Sequence, residues 1–186
     1  MSEGLEIRSL SCGYGRREVI ADLSLPRVEP GQVMALVGPN AAGKSTLLRA
    51  LAGLAPSQGT VELDGIDLQR LSLAERARRV TYMPQTLPQG VALTVMEAVV
   101  SALRVMKLAR ELACENAMIV VVVLHDLQAA ARVADRVVVM SDGAIIADGP
   151  AHQAITAETL ARVYQVRARV WSDDQDGLHV SVDDIL

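Results

Sequence analysis

Gly38-Pro39-Asn40-Ala41-Ala42-Gly43-Lys44-Ser45-Thr46 fits the phosphate-loop pattern GxxxxGK[ST]. On its amino side Val33 to Val37 (V-M-A-L-V) predicts a short buried strand, and Leu47 onward predicts a helix that ends near Gly53. Strand, glycine loop and helix are the context in which this pattern binds a nucleotide triphosphate. Gly38 and Gly43 let the backbone turn tightly, so that the loop amides from Gly38 to Thr46 point inward at phosphate oxygens, and the positive end of the following helix adds to the attraction. Lys44 reaches the outer phosphates, and the Ser45 hydroxyl offers a ligand to Mg²⁺, an ion that keeps phosphates and waters among its six oxygens. Lys44 and Lys107 are the chain's two lysines, against sixteen arginines, which argues against a chance match.

A chain of 186 residues, 51% of them hydrophobic, supplies one domain with a sizeable core. The net charge is −4 and aromatics make up 2%, with no Phe, so neither a phosphate-tracking basic surface nor a base-stacking array is present and no nucleic-acid partner is expected. Arg76, Arg78 and Arg79 read as a solvated helix face. The apolar run from Ala117 to Leu124 is too short to span a bilayer, and M-S-E-G-L-E is no signal segment, so a cytoplasmic protein is expected. Cys12 and Cys114 lack CxxC spacing and read as reduced thiols without a metal role.

Taken in order, Leu5 to Leu10 alternates as a half-buried strand, and Val19 to Leu25 follows the turn Gly13-Tyr14-Gly15, which predicts an antiparallel pair. From position alone, Tyr14 serves equally as a base-stacking platform or as a turn residue resting on the domain. Gly59 to Leu63 predicts a strand, Asp64-Gly65 a tight turn, and Ser72 with Glu75 a capping box ahead of a helix. Val80 to Met83 predicts another short strand leading to Gln85, which alone reads as a turn residue as readily as a metal or water ligand. Val95, Val99, Ala102, Met106, Ala109 and Ala113 form one helical stripe. Ile119 to Leu124 predicts a buried strand that delivers His125 at its carboxyl end, where α/β folds place ligand groups, although a histidine there also bonds locally. A hairpin from Val137 to Ala147, a helix from Ala157 to Tyr164 and a last strand pair (Ala168 to Trp171, Leu178 to Val182) complete the chain. His152, His179, Asp173, Asp174 and Asp176 have no metal spacing and are expected to be solvated.

From Leu5 to about Val170 the chain resembles the ATP-binding subunit of an ABC transporter. The resemblance rests on G-P-N-A-A-G-K-S-T, the preceding Tyr14, Y-M-P-Q ending in Gln85, V-V-V-V-L-H-D-L around His125, and the stretch from Ala134 to Pro150; in order and tail it is most similar to importers for iron chelates, haem or cobalamin. It implies an α/β P-loop NTPase core, a mostly parallel sheet flanked by helices, with an N-terminal antiparallel β subdomain. It also implies roles: Tyr14 as adenine platform, Lys44 and the loop amides on the phosphates, Ser45 and Gln85 on Mg²⁺, and His125 as the switch on the γ-phosphate and attacking water. The implied partners are ATP, a membrane permease that holds the subunit at the inner membrane, and a second copy of the subunit.

Two of the family's motifs are missing: an LSGGQ-like signature, and an apolar strand ending in Asp-Glu between Gln85 and His125, where the only acids are Glu97, Glu111 and Glu115. The resemblance therefore implies a single truncated domain over residues 1–186, with a junction near 100–104 and the helical subdomain largely missing. Without the signature, the sandwiched homodimer cannot complete its composite sites. Asp126 and Asp142 are poor substitutes for the missing acids, because each has a structural job as helix cap or hairpin turn. The family's sheet also places the missing strand between those ending at Met83 and Leu124. Those two must pair directly or stand with open edges, which predicts a marginal, association-prone protein with Gln85 displaced. An energy-coupling ATPase subunit, a nucleotide-binding module that no longer hydrolyses and a non-functional deletion product are the competing readings. A P-loop kinase would need a basic lid, and no such loop is present.

Overall fold

A computed structural model describes residues 3–83, 95–173 and 177–186, with the backbone alone for 95–104. Along these residues the elements are β1 (Leu5–Tyr14), β2 (Arg17–Val28), β3 (Val33–Val37), α1 (Lys44–Leu51), β4 (Ser57–Leu63), β5 (Ile66–Asp67), a 3₁₀ turn (Leu68–Arg70), α2 (Leu73–Ala77), α3 (Val95–Asn116), β6 (Val120–Val123), α4 (Leu127–Val133), β7 (Arg136–Ser141), β8 (Ala144–Gly149), α5 (Ala151–Ala154), α6 (Ala157–Tyr164), β9 (Val166–Ser172) and β10 (Leu178–Ile185). They form an antiparallel sheet β2-β1-β4-β5, a core sheet β6-β3-β7-β8 and a hairpin β9-β10.

The uninterrupted apolar residues of β3 make it the centre of the core sheet, parallel to both β6 and β7 and buried at all five positions. Because side chains alternate faces, Met34 and Leu36 join Val138 and Met140 under the antiparallel sheet and α1, whereas Ala35 and Val37 join Val137 and Val139 under α6 and the β9-β10 hairpin. The phosphate-loop strand thus has a hydrophobic cluster on each face. β8 turns back antiparallel through Asp142-Gly143, as the hairpin reading expects.

β1 runs on to Tyr14, four residues past the predicted end. Leu5 and Ile7 are buried, then Leu10 and Cys12, with the register shifting at Ser9, whose φ is 47°. A bulge breaks the alternation without ending the strand. Val80 to Met83 forms no strand: these residues join no ladder among the described residues, and Met83 is 71% exposed. β6 is half-buried rather than buried, since among the described residues it stands at the end of the core sheet. α3 covers part of it, burying Ala109 and Ala113 while Val105, Leu108 and Leu112 stay exposed.

Arg76 departs furthest from its expected place. Arg78 and Arg79 are exposed, but Arg76 is 5% exposed, and its Nε and Nη2 have no hydrogen-bond partner among the described residues. The capping box from Ser72 to Glu75 forms as expected and turns the next residue inward. Burial lowers the pKa of the guanidinium, opposed by the charge of Asp67. A buried cation without a bonded partner is worth less than an apolar side chain of similar length. Arg76→Met is expected to raise stability by about 1–3 kcal/mol, seen as a higher thermal midpoint. A lower midpoint would mean that the guanidinium supports the end of α1, since a Cβ placed on Gly53 would lie 2.9 Å from Arg76 Cδ.

The entry to β3 is clamped from β7. Asp135 Oδ2 accepts from Val33 N–H at 2.8 Å, Asp135 N–H donates to Val33 O at 2.9 Å, and Arg110 of α3 donates to the same carboxylate. Burial pushes the Asp135 carboxyl up, but the Arg110 and Val33 donors outweigh it and hold its pKa below the ordinary value. A depressed folded pKa gives stability that is present above the unfolded value and lost as pH falls through the folded one. Asp135→Ala is expected to cost about 1 kcal/mol at pH 7, because the carboxylate is partly exposed and screened. Its stability should also fall less steeply than the parent's below about pH 4; parallel acid limbs in urea titrations of the two proteins would refute the assignment.

Candidate nucleotide site

α1 opens directly from the glycine loop. Its N-cap is Gly43, with φ 98° and no side-chain cap bond, and no acid lies in the first turn. The first N–H groups of an α-helix lack partners within the helix, so an uncapped start presents donors and the positive end of the helix dipole to an anion. Gly38 is required for a different reason: its φ is 144°, and a Cβ there would lie 2.1 Å from Met140 O on the adjacent strand. Ala41 holds φ 65°, a left-handed conformation that is strained for a residue with a Cβ.

Lys44 is buried, and its Nζ donates to Gly38 O and Pro39 O, both at 2.7 Å. Burial lowers its pKa, the effect expected where a cation leaves water. The ammonium is thus folded back along its own loop, next to the helix start. Ser45 is exposed. A cleft of about 460 Å³ runs over these residues, lined by Asn40 to Thr46 of the loop and by Tyr14, Arg17, Val19, Val123 and His125. Two cations and no carboxylate stand among these lining residues, which suits a polyphosphate.

The structure therefore brings Tyr14, residues 40–46 of the loop and His125 to one cleft, with Gly38 and Pro39 bonded to Lys44 beneath it. His125 is exposed, one residue past Leu124 at the carboxyl end of β6. Gln85 lies outside the described residues. Asp126 is committed to capping α4, accepting from Gln128 and Ala129 N–H at 2.9 and 3.1 Å, as its position predicts. His179 is not free in solvent: it stacks on Trp171 and bonds to Asp173 at 2.8 Å, far along the chain from the loop. Among the described residues no cluster of His, Cys, Asp and Glu could hold a metal. One oxygen from Ser45, with the rest from phosphates and water, fits Mg²⁺ carried by the nucleotide.

Sequence reasoning missed two contributors. Arg17 pairs with Tyr14 across the first hairpin and so stands in the cleft, which the pairing of β1 with β2 decides. Val19 lies two residues further on the same strand.

The family described as ABC transporter matches residues 20–169. Similar proteins include those named hemin import ATP-binding protein HmuV from Pseudomonas entomophila (46% identical over 96 residues, 51% of this chain and 37% of that protein), Nocardia farcinica (34% over 211 residues, 74% and 73%) and Thermobifida fusca (31% over 246 residues, 94% and 86%). The match thus spans little more than a third of the Pseudomonas protein. Among solved structures, CbiO1 from Clostridium perfringens, described as part of the ABC transporter complex CbiONQ, superposes with a TM-score of 0.65 at 15% identity, covering 87% of this chain and 94% of that one. An ATP-binding subunit of an ABC transporter gives 0.55 at 21%, covering 79% and 90%. At these identities the two structures bear on the fold alone. No helix among the described residues is long and apolar enough to cross a membrane.

Proposed function

Since the chain belongs to the ABC transporter family, as an ATP-binding domain, we propose that it binds Mg-ATP in the Tyr14–Lys44–His125 cleft as the nucleotide-binding subunit of an importer for an iron chelate of the haem class. The observation that carries the nucleotide reading is the uncapped start of α1, with Lys44 beside it, in a cleft lined by cations and no carboxylate. The cargo reading draws support from the names of the HmuV relatives and from the tail from Gly149 to Tyr164. The partner is a membrane permease, which holds the subunit at the cytoplasmic face of the inner membrane. The roles are those of the family pattern: loop amides and Lys44 on the phosphates, Ser45 and Gln85 on the metal, Tyr14 on adenine, His125 at the γ-phosphate.

Hydrolysis is a separate matter. The chain carries neither the acid pair nor the signature, and Asp126 is engaged as a helix cap. These features favour a subunit that binds nucleotide without turning it over, either as a module in its own right or as the product of an internal deletion near 100–104.

Binding is tested by thermal unfolding with nucleotide. Mg-ATP at about 100 times its dissociation constant should stabilise the fold by about 2.7 kcal/mol. An unfolding midpoint unmoved by millimolar Mg-ATP would remove the nucleotide reading.

A further inference from the structure

Tyr14 sits at the tip of the first hairpin, 44% exposed, with only Gly15 and Arg16 between it and its partner strand. A ring in such a place adopts several orientations unless something outside the hairpin holds it. Arg49 does so from α1: its Nη1 donates to the Tyr14 hydroxyl at 3.3 Å. A guanidinium is a rigid planar fork whose N–H groups point in fixed directions, and it holds a phenol oxygen in place better than an ammonium on a flexible stem. Arg49 lies five residues after Lys44 on one short helix, so the support for the ring and the cradle for the phosphates belong to one rigid body about 7.5 Å apart along its axis.

We propose that Arg49 is a positioning residue for nucleotide recognition, holding Tyr14 over the base end of the cleft. It touches neither base nor phosphate and acts through the Tyr14 ring. The inference rests on the nucleotide reading of the cleft and adds to it a residue outside the phosphate-loop pattern.

The test compares two ligands that share phosphates and differ in the base: Mg-ATP and magnesium tripolyphosphate, titrated calorimetrically into the full chain. Arg49→Ala is expected to weaken Mg-ATP about five- to tenfold, about 1–1.4 kcal/mol, and to leave tripolyphosphate within twofold. Tyr14→Phe, which keeps the ring and removes the accepting oxygen, should reproduce that loss, Arg49→Ala with Tyr14→Phe should be no worse than either alone, and Arg49→Lys should recover part of the affinity. Equal weakening of both ligands would place Arg49 in the phosphate cradle or the fold and overturn the proposal, as would additive losses or an unchanged Mg-ATP affinity. If Arg49→Ala fails to fold, Tyr14→Phe, which lacks only the accepting oxygen, decides the matter by the same ratio. Tripolyphosphate binding with no further gain from the base defeats this inference alone, whereas binding of neither ligand by the parent chain defeats the nucleotide reading as well.

Discussion

ATP turnover by the isolated chain is expected to stay at the uncatalysed background, even where nucleotide is bound. Hydrolysis needs a group to take a proton from the attacking water, and a general base is worth about 10²–10⁴ in rate. The residues lining the cleft include no carboxylate, and the nearest acid in sequence to His125, Asp126, already accepts two backbone N–H bonds at the start of α4. His125 stands at the cleft and is proposed to face the γ-phosphate, but the chain lacks the family's signature motif for completing a second site across a dimer. Phosphate release from the purified protein, beside a version with an Asp-Glu strand and signature segment restored, measures the difference. The restored version should exceed the parent by at least about 100-fold, the lower end of what a general base supplies. Turnover by the parent that disappears in both Lys44→Ala and His125→Ala would show that a substitute acid is at work, and Asp126→Asn would then identify or clear the first suspect.

Lys44→Ala is expected to weaken Mg-ATP by about 100-fold or more and to abolish the nucleotide-dependent rise in unfolding midpoint. A charge-assisted hydrogen bond is worth about 1.5–3 kcal/mol, and a loss of 2.7 kcal/mol corresponds to about two decades in affinity. The nucleotide-free protein should respond far less. There Lys44 bonds only to Gly38 O and Pro39 O, and burial already disfavours its charge. The sign of that shift fixes a second readout. With the folded pKa below the unfolded one, the unfolded chain holds more protons between the two values, so stability rises with pH through that alkaline window, and Lys44→Ala removes that rise. Lys107→Ala is the control: its side chain is 80% exposed on α3 and belongs to no part of the cleft. Nucleotide affinity retained in Lys44→Ala would show that the ligand sits elsewhere.

The residues from Val33 to Thr46 determine more by themselves than any other stretch. Five apolar residues in a row specify a strand covered on both faces, and the glycine spacing specifies a backbone turn that ends on a helix start without a side-chain cap. These are local consequences of sterics and burial, and the structure reproduces them within three residues. The same holds for the Ser72–Glu75 capping box, the Asp126 cap and the Asp142-Gly143 turn, each settled within four residues of chain. Elements whose existence depends on a neighbour were legible only in part. β1 outruns its alternation because β2 and β4 pair with it across a bulge at Ser9, and Val80 to Met83 fails to become a strand because no ladder among the described residues receives it. Burial of Arg76, the place of Arg17 in the cleft and the Asp135 clamp on Val33 are likewise tertiary facts. The reason is physical: a loop conformation or a helix cap is set by bonds made within one turn of chain, whereas a side chain's environment is set by whichever distant segment packs against it, and that is decided when the sheets and helices come together.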